Sequence, residues 1–182
     1  MKASPGVARS YGKALFELAR ERNQVDVIAR ELEALAAQFA REPGLYALFA
    51  RPWVTAAAKR NIAIEIATRL QVSKLARDFL ALVAAQGRAD RLEAIAGAYR
   101  ELHDEAEGRV RARVRTAVPL SDADRSALTG RLSHVLGGKQ VILEEIADRE
   151  LLGGFVAEVG SLLVDASLDG QLARMHRRLA QG

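Results

Sequence analysis

The spacing of the apolar residues changes near Gly108, and this change restricts the possible folds more than any other feature of the sequence. Before Gly108 the apolar residues recur every three or four positions, which is typical of one buried face of a helix. After Gly108 the segment RVRARVRTAV, residues 109–118, alternates arginines with small or apolar residues, as a strand with two unlike faces does. We therefore expect a helical part in residues 1–107 and a mixed part in residues 108–182.

The helical part contains five apolar stripes and one short apolar segment, residues 45–50. The turns between them are predicted at Asn23, Pro43-Gly44, Arg51-Pro52 and Gln86-Gly87. Asp90 is the predicted N-cap of the last helix. Helices of this length are only marginally stable alone, so we expect all six to pack in one antiparallel bundle.

The mixed part is predicted to form a small sheet with two helices. After the arginine-rich strand, Ser121 can cap a helix that Gly137-Gly138 ends, and residues 139–147 favour a second strand. The segment 146–172 supplies a third strand and, if the chain breaks at Gly160, a fourth before a closing helix. The predicted fold class is therefore mainly α: a six-helix bundle followed by a small α+β domain with a three- to four-stranded sheet.

Charge gives the best argument for a nucleic-acid partner. The chain has 27 basic and 23 acidic residues, and one face of the first strand carries Arg109, Arg111, Arg113 and Arg115. A row of cations can neutralise phosphates. However, Phe155 is the single aromatic residue after Gly108, so a stacking platform is missing. We therefore favour a wet, strongly basic strand face, or one that meets an acidic protein. The alternative function is that of a basic nucleic-acid or protein-interaction adaptor.

Carboxylates near the C-terminus allow two interpretations. Asp148, Glu150, Asp165 and Asp169 lie around Gly153-Gly154. The carboxylates and the flexible glycine loop could together surround a metal or phosphate, or the same residues could only turn and solvate the sheet. A calcium loop starting at Asp165 would need a bidentate glutamate at the position of His176. The three histidines are scattered and cysteine is absent. We therefore predict a scaffold with no catalytic residue, no metal site and no cofactor.

The sequence also predicts the side of the membrane on which the protein stays. No apolar run approaches the roughly 20 residues that span a bilayer. Arg9 and Lys13 interrupt the apolar start of the chain, so a signal peptide is not expected. We expect the protein to remain on the side of the membrane on which it is synthesised.

Five segments, taken in order, resemble the delta subunit of F-type ATP synthases, whose mitochondrial counterpart is the oligomycin-sensitivity-conferring protein. The segments are ARSYGKALFELA (8–19), FLALVAAQGRADRLEAIAGAYREL (79–102), AVPLS (117–121), GGKQV (137–141) and LLGGFVAEVGSLLVDASLDGQLARM (151–175). The resemblance spans nearly the whole chain, although no single segment is chemically diagnostic.

The resemblance implies a non-catalytic stator subunit of the synthase. In that family the six-helix N-terminal domain, here residues 1–107, grips the N-terminal helix of an alpha subunit on the catalytic head. The C-terminal domain, here residues 108–182, holds the end of the peripheral stalk's b subunits, so the head does not turn with the rotor during proton-driven ATP synthesis. The resemblance further implies one copy per complex, no nucleic acid, and attachment to the cytoplasmic side of the bacterial plasma membrane only through the complex.

The resemblance also places the partner sites on this sequence. The groove for the alpha helix would lie between the first and fifth helices, lined by Tyr11, Ala14, Leu15, Leu18, Phe79, Leu82 and Val83. All seven lie on apolar stripes, so the sequence leaves open which of them face the partner and which face the bundle's own core. For the stalk, the resemblance points to the last helix, with Leu168, Leu172 and Met175.

Overall fold

The computed structural model describes residues 5–160 and 162–181, and the chain divides into two compact units. The first unit runs to His103 and the second begins at Asp104. This division falls inside a helix, whereas the change of apolar spacing falls at Gly108. None of the helices in the described ranges combines the length and the apolar character needed to cross a bilayer.

The described part of the first unit consists of helices, as predicted. They are α1 (Pro5–Glu21), α2 (Val25–Arg41), α3 (Pro43–Ala50), α4 (Ala56–Arg69), α5 (Lys74–Ala85) and α6 (Leu92–Ala106). Asn23 and Gly87 lie at two of the predicted turns and have positive φ angles of 52° and 66°. The predicted turns therefore separate α1 from α2 and α5 from α6.

The prediction that Asp90 caps α6 is wrong. Asp90 lies inside a 3-10 turn, Ala89–Arg91, which runs directly into α6. The backbone N–H of Leu92 donates to the carbonyl of Ala89, so the chain has no break at this point for a side chain to cap. Asp90 instead forms an ion pair with its neighbour Arg91.

The core of the first unit is built from the predicted stripes. In α2 the side chains of Ile28, Leu32, Leu35 and Phe39 are all buried. Each such side chain contributes about 1.5–3 kcal/mol when it leaves water. Tyr99 of α6 is also buried and donates its hydroxyl to the carbonyl of Val25 at 3.0 Å; burial raises the pKa of this phenol above its ordinary value.

The second unit contains a sheet of four described strands. They and their helices are β1 (Arg109–Thr116), α7 (Asp122–Val135), β2 (Gln140–Ala147), β3 (Phe155–Val159), β4 (Leu162–Asp165) and α8 (Leu168–Gln181). The strand order is β2-β1-β3-β4; β1 and β2 are parallel, and the other pairs are antiparallel. The parallel pair requires a crossover, which α7 provides.

Local signals in the second unit are confirmed. The Ser121 hydroxyl accepts a hydrogen bond from the backbone N–H of Asp124 at 3.2 Å and caps α7. Gly160 has a φ of 58° and ends β3 before β4 begins. One face of β1 carries Ala112 and Val114, which pack with α7 in a core completed by Leu128, Leu132, Val141, Ala157 and Val159.

Candidate partner-binding surfaces

The predicted groove residues lie on α1 and α5, and an aromatic contact joins the two helices. The rings of Tyr11 and Phe79 meet edge to face, with centroids 6.3 Å apart and planes inclined by 68°. Such pairs are stabilising beyond the area that they bury. The contact therefore fixes the two helices as neighbours at this point.

The structure divides the seven residues between core and surface. Leu15, Phe79 and Val83 are at most 8% exposed and belong to the bundle core. Ala14, Leu18 and Leu82 are exposed, the two leucines by 42% and 50%, and Tyr11 is half-buried. We call these four residues the α1–α5 patch. Leucines exposed to this degree on adjoining helices offer apolar contact area for a partner.

Gly12 holds the other side of α1 against α6. A Cβ atom at Gly12 would lie 3.1 Å from both the Cβ of Ala98 and the backbone nitrogen of Tyr99. These distances are tighter than ordinary van der Waals contacts, so a side chain at position 12 would push α6 away from α1. With Gly12 turned toward α6, the adjacent Tyr11 meets Phe79 of α5.

Arg88 is a residue at this surface that the sequence analysis missed. Its Nη1 donates to the hydroxyl of Tyr11 at 2.9 Å, and its Cζ lies 5.4 Å from the centroid of the Tyr11 ring. The sequence offered no signal for this contact, because it joins residues 77 positions apart. The turn at Gly87 places Arg88 there, and the Arg88 N–H closes the turn on the carbonyl of Val83.

The three predicted stalk residues form an exposed stripe on α8. Leu168, Leu172 and Met175 are spaced by four and three, so they share one helix face, and they are 47%, 58% and 60% exposed. Arg174 and Arg177 of the same helix are also exposed. The described part of α8 is thus an amphipathic helix whose apolar stripe is uncovered in this chain.

The first turn of α8 is tightly attached to the rest of its unit. The hydroxyl of the buried Ser167 donates to Asp165 at 2.6 Å and accepts from the N–H of Gly170 at 3.0 Å. The Leu168 N–H donates to the carbonyl of Gly153 at 2.9 Å. This geometry requires small residues, because a Cβ at Gly154 would lie 2.4 Å from the carbonyl oxygen of Ala166.

Leu152 is a further exposed apolar residue near the start of α8, and it was not predicted. Its side chain is 72% exposed, and its backbone N–H donates to the Asp169 carboxylate in the first turn of α8 at 3.3 Å. The loop before β3 therefore carries a large apolar side chain beside the start of the α8 stripe. We call Leu152, Leu168, Leu172 and Met175 the α8 patch.

Two carboxylates of this region, Asp148 and Asp165, accept hydrogen bonds from within their own unit. Asp148 accepts from the Arg115 guanidinium, which holds the pKa of that carboxyl below its usual value. Hydrogen bonds from the hydroxyl and backbone N–H of Ser167 lower the pKa of Asp165 in the same way. Among the residues that the structure describes, no group of three histidines or acids is arranged to hold a metal ion.

The β1 arginines do not form the strongly basic face that the sequence predicts, although Arg113 and Arg115 are exposed to solvent as expected. Each of the four lies within ion-pair distance of an acid supplied by the unit itself. The pairs are Arg109–Asp104 at 3.4 Å, Arg111–Asp104, Arg111–Glu144 at 2.9 Å, Arg113–Glu144 at 3.6 Å and Arg115–Asp148. The acids come from the end of α6, from β2 and from the residue after β2. Because an acid lies beside every arginine, this face does not offer a free row of cations to phosphates.

Comparisons with known proteins agree with the fold. A family model described as the ATP synthase delta (OSCP) subunit matches residues 7–179. The ATP synthase subunit delta of Trichlorobacter lovleyi is 35% identical over 176 residues, which is 97% of each chain. That of an Anaeromyxobacter species is 37% identical over 175 residues, covering 96% of this chain and 97% of the relative. A chain in the Toxoplasma gondii mitochondrial ATP synthase hexamer shares the fold, with a TM-score of 0.73, 19% identity, and coverage of 95% and 97%.

Proposed function

Because the chain belongs to the ATP synthase delta (OSCP) subunit family, we propose that its two units each bind a different partner in the stator of an F-type ATP synthase. The chain is a non-catalytic subunit of the peripheral stalk. The adaptor function considered from charge alone finds no support. The observation that carries the proposal is that each unit exposes an apolar helix surface, the α1–α5 patch in one and the α8 patch in the other.

The first unit binds the N-terminal helix of an alpha subunit. The exposed leucines of the α1–α5 patch, Leu18 and Leu82, act as apolar contacts, and Ala14 leaves room for the incoming helix. Each buried anchor of such a helix contributes about 1.5–3 kcal/mol before ordering costs. The buried members of the predicted set belong to the core of the bundle and hold α1 and α5 in place; they are Leu15, Phe79 and Val83.

The second unit binds the end of the b subunits. The α8 patch presents four large apolar side chains, and hydrogen bonds at the start of the helix hold its first turn in place. A helix of the stalk packed along this stripe would cover it. With one copy per complex, the chain links head and stalk on the cytoplasmic side of the bacterial plasma membrane and prevents the head from turning with the rotor.

Calorimetry with a synthetic peptide of the alpha N-terminus tests the first contact. The full chain is expected to bind this peptide, and Leu82→Asp is expected to abolish binding, because an aspartate there would have to lose water beside apolar anchors. Leu82 is half exposed, so the bundle stays folded. Leu70→Asp is the matched control, because Leu70 is a 37% exposed leucine at the end of α4. No binding at tens of micromolar peptide would contradict the proposal.

A further inference from the structure

Arg88 is a cation held in position at the edge of the α1–α5 patch. The Tyr11 ring lies under its guanidinium at 5.4 Å, and the Tyr11 hydroxyl accepts its Nη1 hydrogen bond at 2.9 Å. Tyr11 is itself held by its contact with Phe79. None of the described carboxylates forms an ion pair with Arg88, and its side chain is exposed. The charge is therefore oriented by an aromatic residue and left available to a partner.

The donors that remain at this point suit a carboxylate. A guanidinium has five N–H donors in a planar fork, and the bond to Tyr11 uses one of them. Because the Tyr11 oxygen accepts from Arg88, its own O–H proton is free to donate elsewhere. Two kinds of donor thus lie side by side, and a carboxylate can accept from both through its two oxygens.

We propose that Arg88 and Tyr11 together bind a carboxylate of the incoming helix, so that the α1–α5 patch recognises an amphipathic helix carrying Asp or Glu beside its apolar anchors. The inference rests on the proposed function of this patch and specifies the chemistry of its partner. Leu18 and Leu82 supply apolar contact without fixing the register of the helix. A single acid facing Arg88 fixes that register and excludes helices with a basic residue there. Since the guanidinium is already oriented, little side-chain freedom is lost on binding.

The test measures binding of the full chain to the alpha N-terminal peptide and to derivatives in which each Asp or Glu is replaced, one at a time, by Asn or Gln. We expect one derivative to bind the unchanged protein roughly fivefold more weakly, as an exposed but oriented ion pair allows. Arg88→Gln should weaken binding of the original peptide by a similar factor and make the protein insensitive to that derivative. The difference should shrink at high salt.

Two further variants separate the roles of charge and geometry. Arg88→Lys keeps the charge without the planar fork and should retain part of the effect. Tyr11→Phe keeps the ring and removes the hydroxyl, so it should weaken binding by less than Arg88→Gln. Arg60→Gln is the matched control, because Arg60 is an exposed arginine on α4 and its loss changes the net charge equally. It should leave the affinity unchanged.

The outcomes are distinct. The proposal is overturned if no single derivative binds the unchanged protein more weakly, or if Arg88→Gln lowers the affinity for every peptide by the same factor, which would indicate a structural role for Arg88. The first of these measurements needs no protein variant, so it stands even if Arg88→Gln does not fold. Failure of the unchanged chain to bind any peptide would overturn the proposed function as well. Binding that is abolished by Leu82→Asp but indifferent to Arg88 would overturn this inference alone.

Discussion

The backbone N–H and the hydroxyl of Ser73 donate to the two carboxylate oxygens of Glu31 at 2.7 and 2.6 Å. Ser73 is the N-cap of α5, and its hydroxyl also accepts from the N–H of Ala76. Glu31 of α2 therefore fixes the point at which α5 begins. Since α5 carries Leu82, this pair helps to position the α1–α5 patch.

Glu31→Ala is expected to destabilise the start of α5. The change leaves the two partly buried donors of Ser73 without their charged acceptor, which costs about 2 kcal/mol. Hydrogen exchange of the α5 amides measures the effect directly in the two-unit chain. Glu17→Ala is the control, because Glu17 is 52% exposed and lies 3.9 Å from Lys13, a surface pair of small value. Equal loss of protection in both variants would contradict the role given to Glu31.

Acid is expected to weaken the second unit through Asp148. The Arg115 hydrogen bond lowers the folded-state pKa of Asp148 below that of the unfolded chain. The stabilisation that ionised Asp148 gives to the folded state is therefore fully present above the unfolded pKa, near 3.9. The contribution is lost as the pH falls from there through the folded-state pKa. Asp148→Asn should therefore flatten the fall of the unfolding temperature between about pH 5 and pH 2.

The neighbouring arginine provides the control for this experiment. Arg149→Gln removes a positive charge next to Asp148 but leaves the Arg115 hydrogen bond in place. Its unfolding temperature should show the same slope against pH as that of the unchanged protein. An unaltered slope in Asp148→Asn would exclude this carboxylate as a source of the acid sensitivity.

Two glycine substitutions are expected to have opposite effects on the second unit. Gly154 has a φ of 78°, and a Cβ there would lie 2.4 Å from the carbonyl oxygen of Ala166. Gly154→Ala should therefore lower the free energy of unfolding by about 1–3 kcal/mol or more and loosen the start of α8. Gly130 lies within α7 with nothing within 4 Å of its Cβ position, so Gly130→Ala should stabilise by about 0.5–1 kcal/mol. Thermal unfolding distinguishes the two, and stabilisation by Gly154→Ala would refute the close approach.

Leu172→Asp is expected to abolish binding of a soluble b-subunit fragment. Leu172 lies in the middle of the α8 patch and is 58% exposed, so the substitution should leave the unfolding temperature unchanged. Leu163→Asp is the control, because Leu163 is 64% exposed on β4, outside the α8 patch. Pull-down or calorimetry measures the difference. Binding by Leu172→Asp at the affinity of the unchanged protein would rule out the α8 stripe as the stalk contact.

Periodicity and turn chemistry determined the elements from the sequence. The six helices of the first unit, the N-cap at Ser121 and the break at Gly160 depend on residues close together in the chain, so local rules were sufficient to predict them. The prediction for Asp90 was wrong although it too was local. The 3-10 turn at Ala89–Arg91 closes on backbone hydrogen bonds that no side-chain pattern marks.

Tertiary structure decided which residues of each apolar stripe remain exposed and which charged residues lack an ion-pair partner. The sequence could not separate the buried Leu15 from the exposed Leu18, because both continue one apolar stripe and only the packing of neighbouring helices covers the first. Alternation correctly placed the β1 arginines on one face, but Glu144 and Asp148, 33 positions after Arg111 and Arg115, neutralise two of them. The position of a residue in its helix or strand sets the direction of its side chain. The partner of that side chain depends on which distant segments folding brings within a few ångströms of it.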